Sequence, residues 1–150
     1  MQYKYQKKRE GIKMEIIYRA NDGKEFDDEY ECRTHERVLK EQELLNSGII
    51  FLDSYREKID TPIYNSERIY HMYFPTAESM KILNKIYQDE YDDIVEKLNR
   101  YEDIKPNIWY HWNDGEECFE SDEYKIKQLQ DHIEEYDDIF KKNKPRGKII

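Results

Sequence analysis

At 150 residues the chain is long enough for one domain with a buried core, so it needs no disulfide or metal for stability. Charged residues make up 39% and apolar residues only 37%, but 14 tyrosines can each bury a large ring, so we expect a folded domain with a thin, Tyr-rich core. The net formal charge of -9 becomes -18 over residues 14–140, which argues against direct nucleic-acid binding and favours a basic protein partner.

The first thirteen residues are basic and show no apolar period. They hold four lysines and one arginine against a single acid. Arg9-Glu10-Gly11 can be encoded by a purine-rich run like a ribosome-binding site, and Met14 directly precedes a predicted strand. Residues 1–13 are therefore either a translated leader before a start at Met14 or a basic arm that binds something. In both cases we expect them to be poorly ordered.

The next two stretches each predict a hairpin followed by a helix. A strand over 16–20 runs into Asn21-Asp22-Gly23, a strong hairpin signal, and a helix then extends to about residue 46. In the middle of the chain, strands over 49–52 and 68–74 flank a long loop, and Thr76 caps a helix that reaches towards residue 101. A bend near residues 89–93 would divide this helix.

The third stretch repeats the first in kind. A strand over 108–112 runs into Asn113-Asp114-Gly115, and a helix follows from Ser121 or Asp122. Its apolar residues step by three and four along one side of the helix: Ile126, Leu129, Ile133, Tyr136 and Phe140. We expect an α+β domain over 14–142 in ββα-ββα-ββα order, with a mostly antiparallel sheet covered by helices and a basic tail at 143–150.

No pattern indicates catalysis, a metal or a cofactor. The chain has only Cys32 and Cys118, which excludes a zinc ribbon and favours buried thiols in a reducing cytoplasm. His35 follows Cys32 by three residues, but a nucleophilic pair also needs an orienting group, and two helix-surface residues are the better interpretation. No apolar run is long enough for a membrane span or a signal peptide, so we expect a cytoplasmic protein.

Acidic doublets interleaved with tyrosines give the candidate partner surface. Glu-Tyr-Asp-Asp-Ile occurs twice, at 90–94 and at 135–139. Adjacent helical carboxylates point apart, so a doublet alone is not a metal chelate. The open alternatives are a solvated surface, an acidic surface that fills a nucleic-acid groove and, least favoured, a metal site formed by carboxylates from separate elements. The predicted binding residues are Tyr91, Asp92, Asp93, Glu96, Glu134, Tyr136, Asp137 and Asp138.

A resemblance supplies a biological setting. The stretch from Tyr18 to Phe26, followed by Glu31-Cys32 and Glu36, resembles the opening of small orphan proteins from phages and prophages of low-GC Gram-positive bacteria. It covers about a fifth of the chain. The resemblance implies an anti-defence protein in the host bacterial cytoplasm, of the acidic anti-CRISPR type that mimics nucleic acid.

Three functions follow as hypotheses. The first is a non-enzymatic phage inhibitor of a basic CRISPR effector or other defence nuclease, favoured if the acids cluster on one face. The second is a phage accessory or assembly protein acting by self-association as a homodimer, favoured by a large apolar patch. The third is a small enzyme, favoured by a concave pocket with convergent polar groups.

Overall fold

A computed structural model of the protein describes residues 3–9, 13–88 and 94–142. The described residues form four helices and two antiparallel sheets, which confirms the α+β class. The predicted ββα-ββα-ββα order is not borne out. An additional strand precedes the first hairpin, and two helices stand where one was predicted in the middle unit.

The first sheet has three strands: β1 (Tyr3–Arg9), β2 (Lys13–Arg19) and β3 (Glu25–Phe26). They are paired in the order β1-β2-β3. Strand β1 pairs along the whole of β2, where the sequence predicted poorly ordered residues. Backbone groups of β2 at this edge need partners whatever the side chains of β1 are, so apolar periodicity did not indicate the strand. The leader origin of 1–13 stays a prediction, and the 143–150 tail lies outside the described residues.

The hairpin between β2 and β3 forms as predicted. Gly23 adopts a φ of 91°, and its amide donates to Ala20 O at 3.0 Å. Helix α1 (Glu29–Asn46) then begins at Asp28, whose carboxylate accepts from Tyr30 N at 2.7 Å. Capping of this kind satisfies one of the free amides at a helix start and sets where α1 begins.

The second sheet has four strands: β4 (Ile50–Leu52), β5 (His71–Tyr73), β6 (Trp109–Asn113) and β7 (Cys118–Ser121). They are antiparallel and lie in sequence order. Directly opposite residues share a face of a sheet, so one row crosses it through Leu52, His71, His111 and Glu120. This row carries the two histidines of a site described below.

Helices α2 (Ala77–Gln88) and α3 (Ile94–Leu98) replace the single helix expected before residue 101. Thr76 is confirmed as the cap of α2, since its hydroxyl oxygen accepts from Ser79 N at 3.1 Å. The last helix, α4 (Asp122–Lys142), begins after Ser121, whose hydroxyl oxygen accepts from Tyr124 N at 3.0 Å. No helix among the described residues combines the length and the apolar character needed to cross a bilayer.

The main core lies between the second sheet and helices α1 to α3. It includes Leu44, Phe51, Met72, Phe74, Leu83, Leu98 and Tyr110, all fully buried. Of the described tyrosines from Tyr18 onwards, only Tyr87 and Tyr110 are buried, so the expected Tyr-rich core is instead mainly aliphatic and Phe-based. The other tyrosines of this part of the chain lie at or near the surface, where their hydroxyl groups stay hydrated.

The two Asn-Asp-Gly turns differ in geometry although their sequences match. Gly23 takes the left-handed conformation in the first turn. In the second, Asn113 Oδ1 accepts from Gly115 N at 3.0 Å, and the positive φ falls on Glu117 at 52°. The repeated Asn-Asp-Gly sequence therefore forms two different loops.

Candidate functional site

Helix α4 leaves the body of the protein after its first turn. Lys125 Nζ lies 3.1 Å from Glu120 Oε2 on β7, and Asp122 bonds His111 on β6. Every residue from Lys125 to Lys142 is exposed. These eighteen residues span roughly 25 Å at the α-helical rise of 1.5 Å per residue.

The apolar stripe of α4 is exposed, which corrects the expectation that this helix covers the sheet. Six large apolar residues on α4 are between 54% and 66% exposed: Ile126, Leu129, Ile133, Tyr136, Ile139 and Phe140. Tyr136 and Phe140 stack on each other, with ring centroids 6.5 Å apart. The 3-4 spacing was detected correctly in the sequence, but spacing alone does not say whether a stripe faces the core or a partner.

Four of the predicted binding residues lie together on α4. Glu134, Tyr136, Asp137 and Asp138 are all exposed, and Tyr136 belongs to the stripe itself. Asp137 follows Ile133 by four positions and therefore borders the stripe, while Glu134 and Asp138 form the next row around the helix. Residues 131–138 contain five acids and no Lys or Arg. Helix α4 therefore has an exposed apolar stripe and, next to it, an acidic flank.

Of the other four predicted binding residues, Glu96 alone lies within the described part of the chain. Glu96 is exposed on α3, a separate helix. Tyr91, Asp92 and Asp93 lie outside the described residues. The second copy of the Glu-Tyr-Asp-Asp-Ile motif therefore carries the described part of the acidic surface.

Cys32 and His35 do not form a pair. Cys32 is fully buried, and burial raises the pKa of its thiol, so it is not the helix-surface residue expected. His35 Nε2 instead lies 2.7 Å from Asp22 Oδ2. Cys118 is likewise a buried free thiol with a pKa raised by burial. A buried, protonated thiol is a poor nucleophile.

Sequence reasoning missed a second site, a pocket of about 270 Å³ on the second sheet. Its lining is Leu52, Arg56, His71, Trp109, His111 and Asp122. His71 Nδ1 and His111 Nδ1 are 2.7 Å apart, and His111 Nε2 is 2.5 Å from Asp122 Oδ1. The two histidines are 40 positions apart and meet only because β5 and β6 pair in this register. In the sequence, the only signal for this site was the alternation of side chains along each of the two strands, which places each histidine on one face of its strand.

Metal ligation has no support in this part of the chain. Among the described residues, no group of three or more His, Cys, Asp and Glu side chains converges closely enough to hold an ion. In comparisons with known proteins, no family, curated protein or solved structure matches the chain.

Proposed function

We propose that the protein is a non-enzymatic inhibitor that binds a basic, nucleic-acid-handling protein through α4. The observation that supports this is the exposure of six large apolar residues along one helix. Exposed apolar patches of this kind mark interaction sites. An isolated helix of this length is marginally stable in water, so docking would also stabilise α4.

The acidic flank defines the chemistry of the partner. A complementary surface would offer an apolar groove to Leu129 and Ile133 and basic residues to Asp137 and its neighbours. An amphipathic helix in a groove is a common mode of recognition. Basic grooves are typical of proteins that handle nucleic acid, and the -18 charge over residues 14–140 would steer such a partner towards α4.

Charge favours a basic partner over a second copy of the chain. The stripe from Ile126 to Phe140 is centred on Ile133, and the five acids occupy 131–138. Two copies paired along the full stripe, in either direction, would bring these acidic segments close together. Like charges across an interface disfavour such pairing.

The biological identity of the partner rests on the sequence resemblance and not on the geometry of α4. The small phage proteins that residues 18–26 resemble suggest a CRISPR effector or another defence nuclease in the bacterial host. An inhibitor of this type would occupy the groove that normally holds DNA or guide RNA. Nucleic acid should then compete with the protein for its partner.

The experiment is affinity capture from a low-GC Gram-positive lysate with matched baits. Wild-type protein should retain one dominant basic, nucleic-acid-binding protein, and added DNA should release it. Retention should be lost with Leu129→Ala/Ile133→Ala and with Glu134→Lys/Asp137→Lys/Asp138→Lys. Glu43→Lys reverses an exposed acid on α1, away from α4, so it is the control and should capture normally. Equal capture by all baits would contradict the proposal.

Self-association is the second candidate, because the exposed residues repeat with the 3-4 spacing of a coiled-coil seam. Sedimentation equilibrium of wild-type protein distinguishes the two. If the protein is a monomer at micromolar concentration, the result supports binding to a different protein. A dimer that Leu129→Ala/Ile133→Ala dissociates would replace the proposed function with an assembly role.

A further inference from the structure

The hydrogen-bond chain on the second sheet has a defined direction. Asp122 Oδ1 accepts from His111 Nε2, which leaves His111 Nδ1 as an acceptor for the Nδ1 hydrogen of His71. His71 Nε2 is then the free end of the chain, and His71 lines the pocket. A proton taken up at His71 Nε2 would be stabilised through His111 by the Asp122 carboxylate.

Arg56 supplies a cation to the same pocket. Its φ is 64°, a conformation that non-glycine residues rarely adopt and that often marks functional sites. The turn that holds it is built around Asp53, whose Oδ1 accepts from Tyr55 N and Glu57 N, both at 2.9 Å. The turn therefore places the backbone of Arg56, an exposed residue, beside the pocket.

Arg56 also differs from other arginines in its pairing. Arg19, Arg33 and Arg68 each lie within 3.3 Å of a carboxylate oxygen. Among the described residues, no ion pair or hydrogen bond of the Arg56 side chain is found. In so acidic a protein, an arginine kept from carboxylates and held beside a pocket is suited to an external anion.

The charged groups around His71 also favour an anion as the ligand of this pocket. Burial, His111 and Arg56 lower the pKa of His71, and Asp53 opposes them. Other charged groups on this face are Asp122, Glu120 with its partner Lys125, and Lys58, which lies opposite Leu52. Arg56 and a protonated His71 repel each other, and an anion between them would remove that repulsion.

We propose that this pocket binds a small oxyanion, a phosphate or carboxylate group, between the Arg56 guanidinium and His71, with uptake of one proton at His71 Nε2. The planar guanidinium can donate two parallel hydrogen bonds to such a group. Leu52 and Trp109 give the pocket an apolar wall for the rest of the ligand. No hydroxyl or thiol lines it, so we infer binding and not covalent catalysis.

Sulfate and acetate are the probes, because sulfate is tetrahedral and keeps its charge between pH 5 and 8, whereas acetate is planar. Ring resonances of His71 and His111 are followed by NMR during titration of the whole protein. At least one probe should give saturable shifts, and the tighter one identifies the class of oxyanion. Above the pKa of His71 in the free protein, Kd should rise with pH by up to about tenfold per pH unit, the limit for one linked proton.

Arg56→Gln should weaken binding at least about tenfold. Arg33→Gln removes the same charge from an exposed site on α1 and should leave Kd unchanged. His71→Gln should abolish the pH dependence of Kd, and backbone amide spectra confirm that each variant is folded. Absence of saturable shifts with both probes, or equal weakening by the two arginine variants, would overturn the proposal.

Discussion

The Lys125 ammonium lies 3.1 Å from Oε2 of Glu120, a carboxylate whose side chain is only 2% exposed. The contact is an ion pair and not an aligned hydrogen bond, since Oε2 has no hydrogen-bond partner. Oε1 of the same group accepts from Asn113 Nδ2 at 3.0 Å. This ion pair holds the first turn of α4 on β7, and beyond it the helix is exposed.

Lys125→Met should therefore destabilise the protein although Lys125 is half exposed. The change leaves the Glu120 carboxylate buried without its counter-ion, which costs about 1–3 kcal/mol. Glu120→Gln/Lys125→Met removes both charges and should recover part of the loss. Urea unfolding measures both effects. A single variant as stable as wild type would show that Glu120 does not depend on Lys125.

Truncation of the α4 stripe should hardly change stability. Leu129 and Ile133 are 60% and 63% exposed, so Leu129→Ala and Ile133→Ala should each change the free energy of unfolding by no more than about 0.5 kcal/mol. Leu83 is fully buried, and Leu83→Ala should cost about 2–5 kcal/mol. Losses of 2 kcal/mol at both α4 positions would mean that the stripe is packed in solution.

Local signals in the sequence predicted most of the elements. The Asn21-Asp22-Gly23 turn, the Thr76 cap and the start of α4 after Ser121 each depend on nearby residues, and each lies where it was expected. Strand β1 was missed because it pairs with β2 through backbone groups, which apolar periodicity does not indicate.

The environment of each site residue depended on the fold and could not be predicted. The α4 stripe has the period of a core helix, and only the direction in which α4 leaves β7 exposes it. His71 and His111 meet through strand register, which alternation within one strand does not specify. The positions of Glu134, Asp137 and Asp138 along one helix predicted that they lie together. They did not show where Glu96, on a different helix, lies relative to them.

Asp53 should make stability depend on acid pH. The amide hydrogen bond from Glu57, then that from Tyr55 and the charge of Arg68, hold the pKa of Asp53 below its usual range. A carboxyl whose pKa is lower in the folded state contributes stability above its unfolded pKa of about 4, and loses it as pH falls through the folded pKa.

Asp53→Asn should therefore reduce the loss of stability between neutral and strongly acid pH. Chemical unfolding of wild type and variant from pH 7 downwards is the test. Asp27→Asn makes the same substitution at an exposed position and is the control. Parallel curves for wild type and Asp53→Asn would show that Asp53 does not contribute to acid unfolding.

Two glycines with the same backbone angle should respond differently to alanine. Gly23 and Gly48 have φ of 91° and 90°, so a Cβ is unfavourable at both, by about 1–2 kcal/mol. A Cβ at Gly23 meets nothing within 4 Å, but at Gly48 it would lie 2.9 Å from Pro75 Cγ. Gly48→Ala should therefore lower Tm more than Gly23→Ala. Equal shifts in Tm would indicate that Pro75 moves without cost.

The most direct test of α4 as an acidic docking helix is the association rate with the captured partner at increasing salt. Salt screens exposed charges over about 8 Å at physiological ionic strength, and steering acts mainly on association. For wild-type protein, the association rate should fall steeply with salt while dissociation changes little. Glu134→Lys/Asp137→Lys/Asp138→Lys should stay folded and lose binding, and Glu43→Lys on α1 should still bind. Binding that is indifferent to salt and survives the triple reversal would contradict the account.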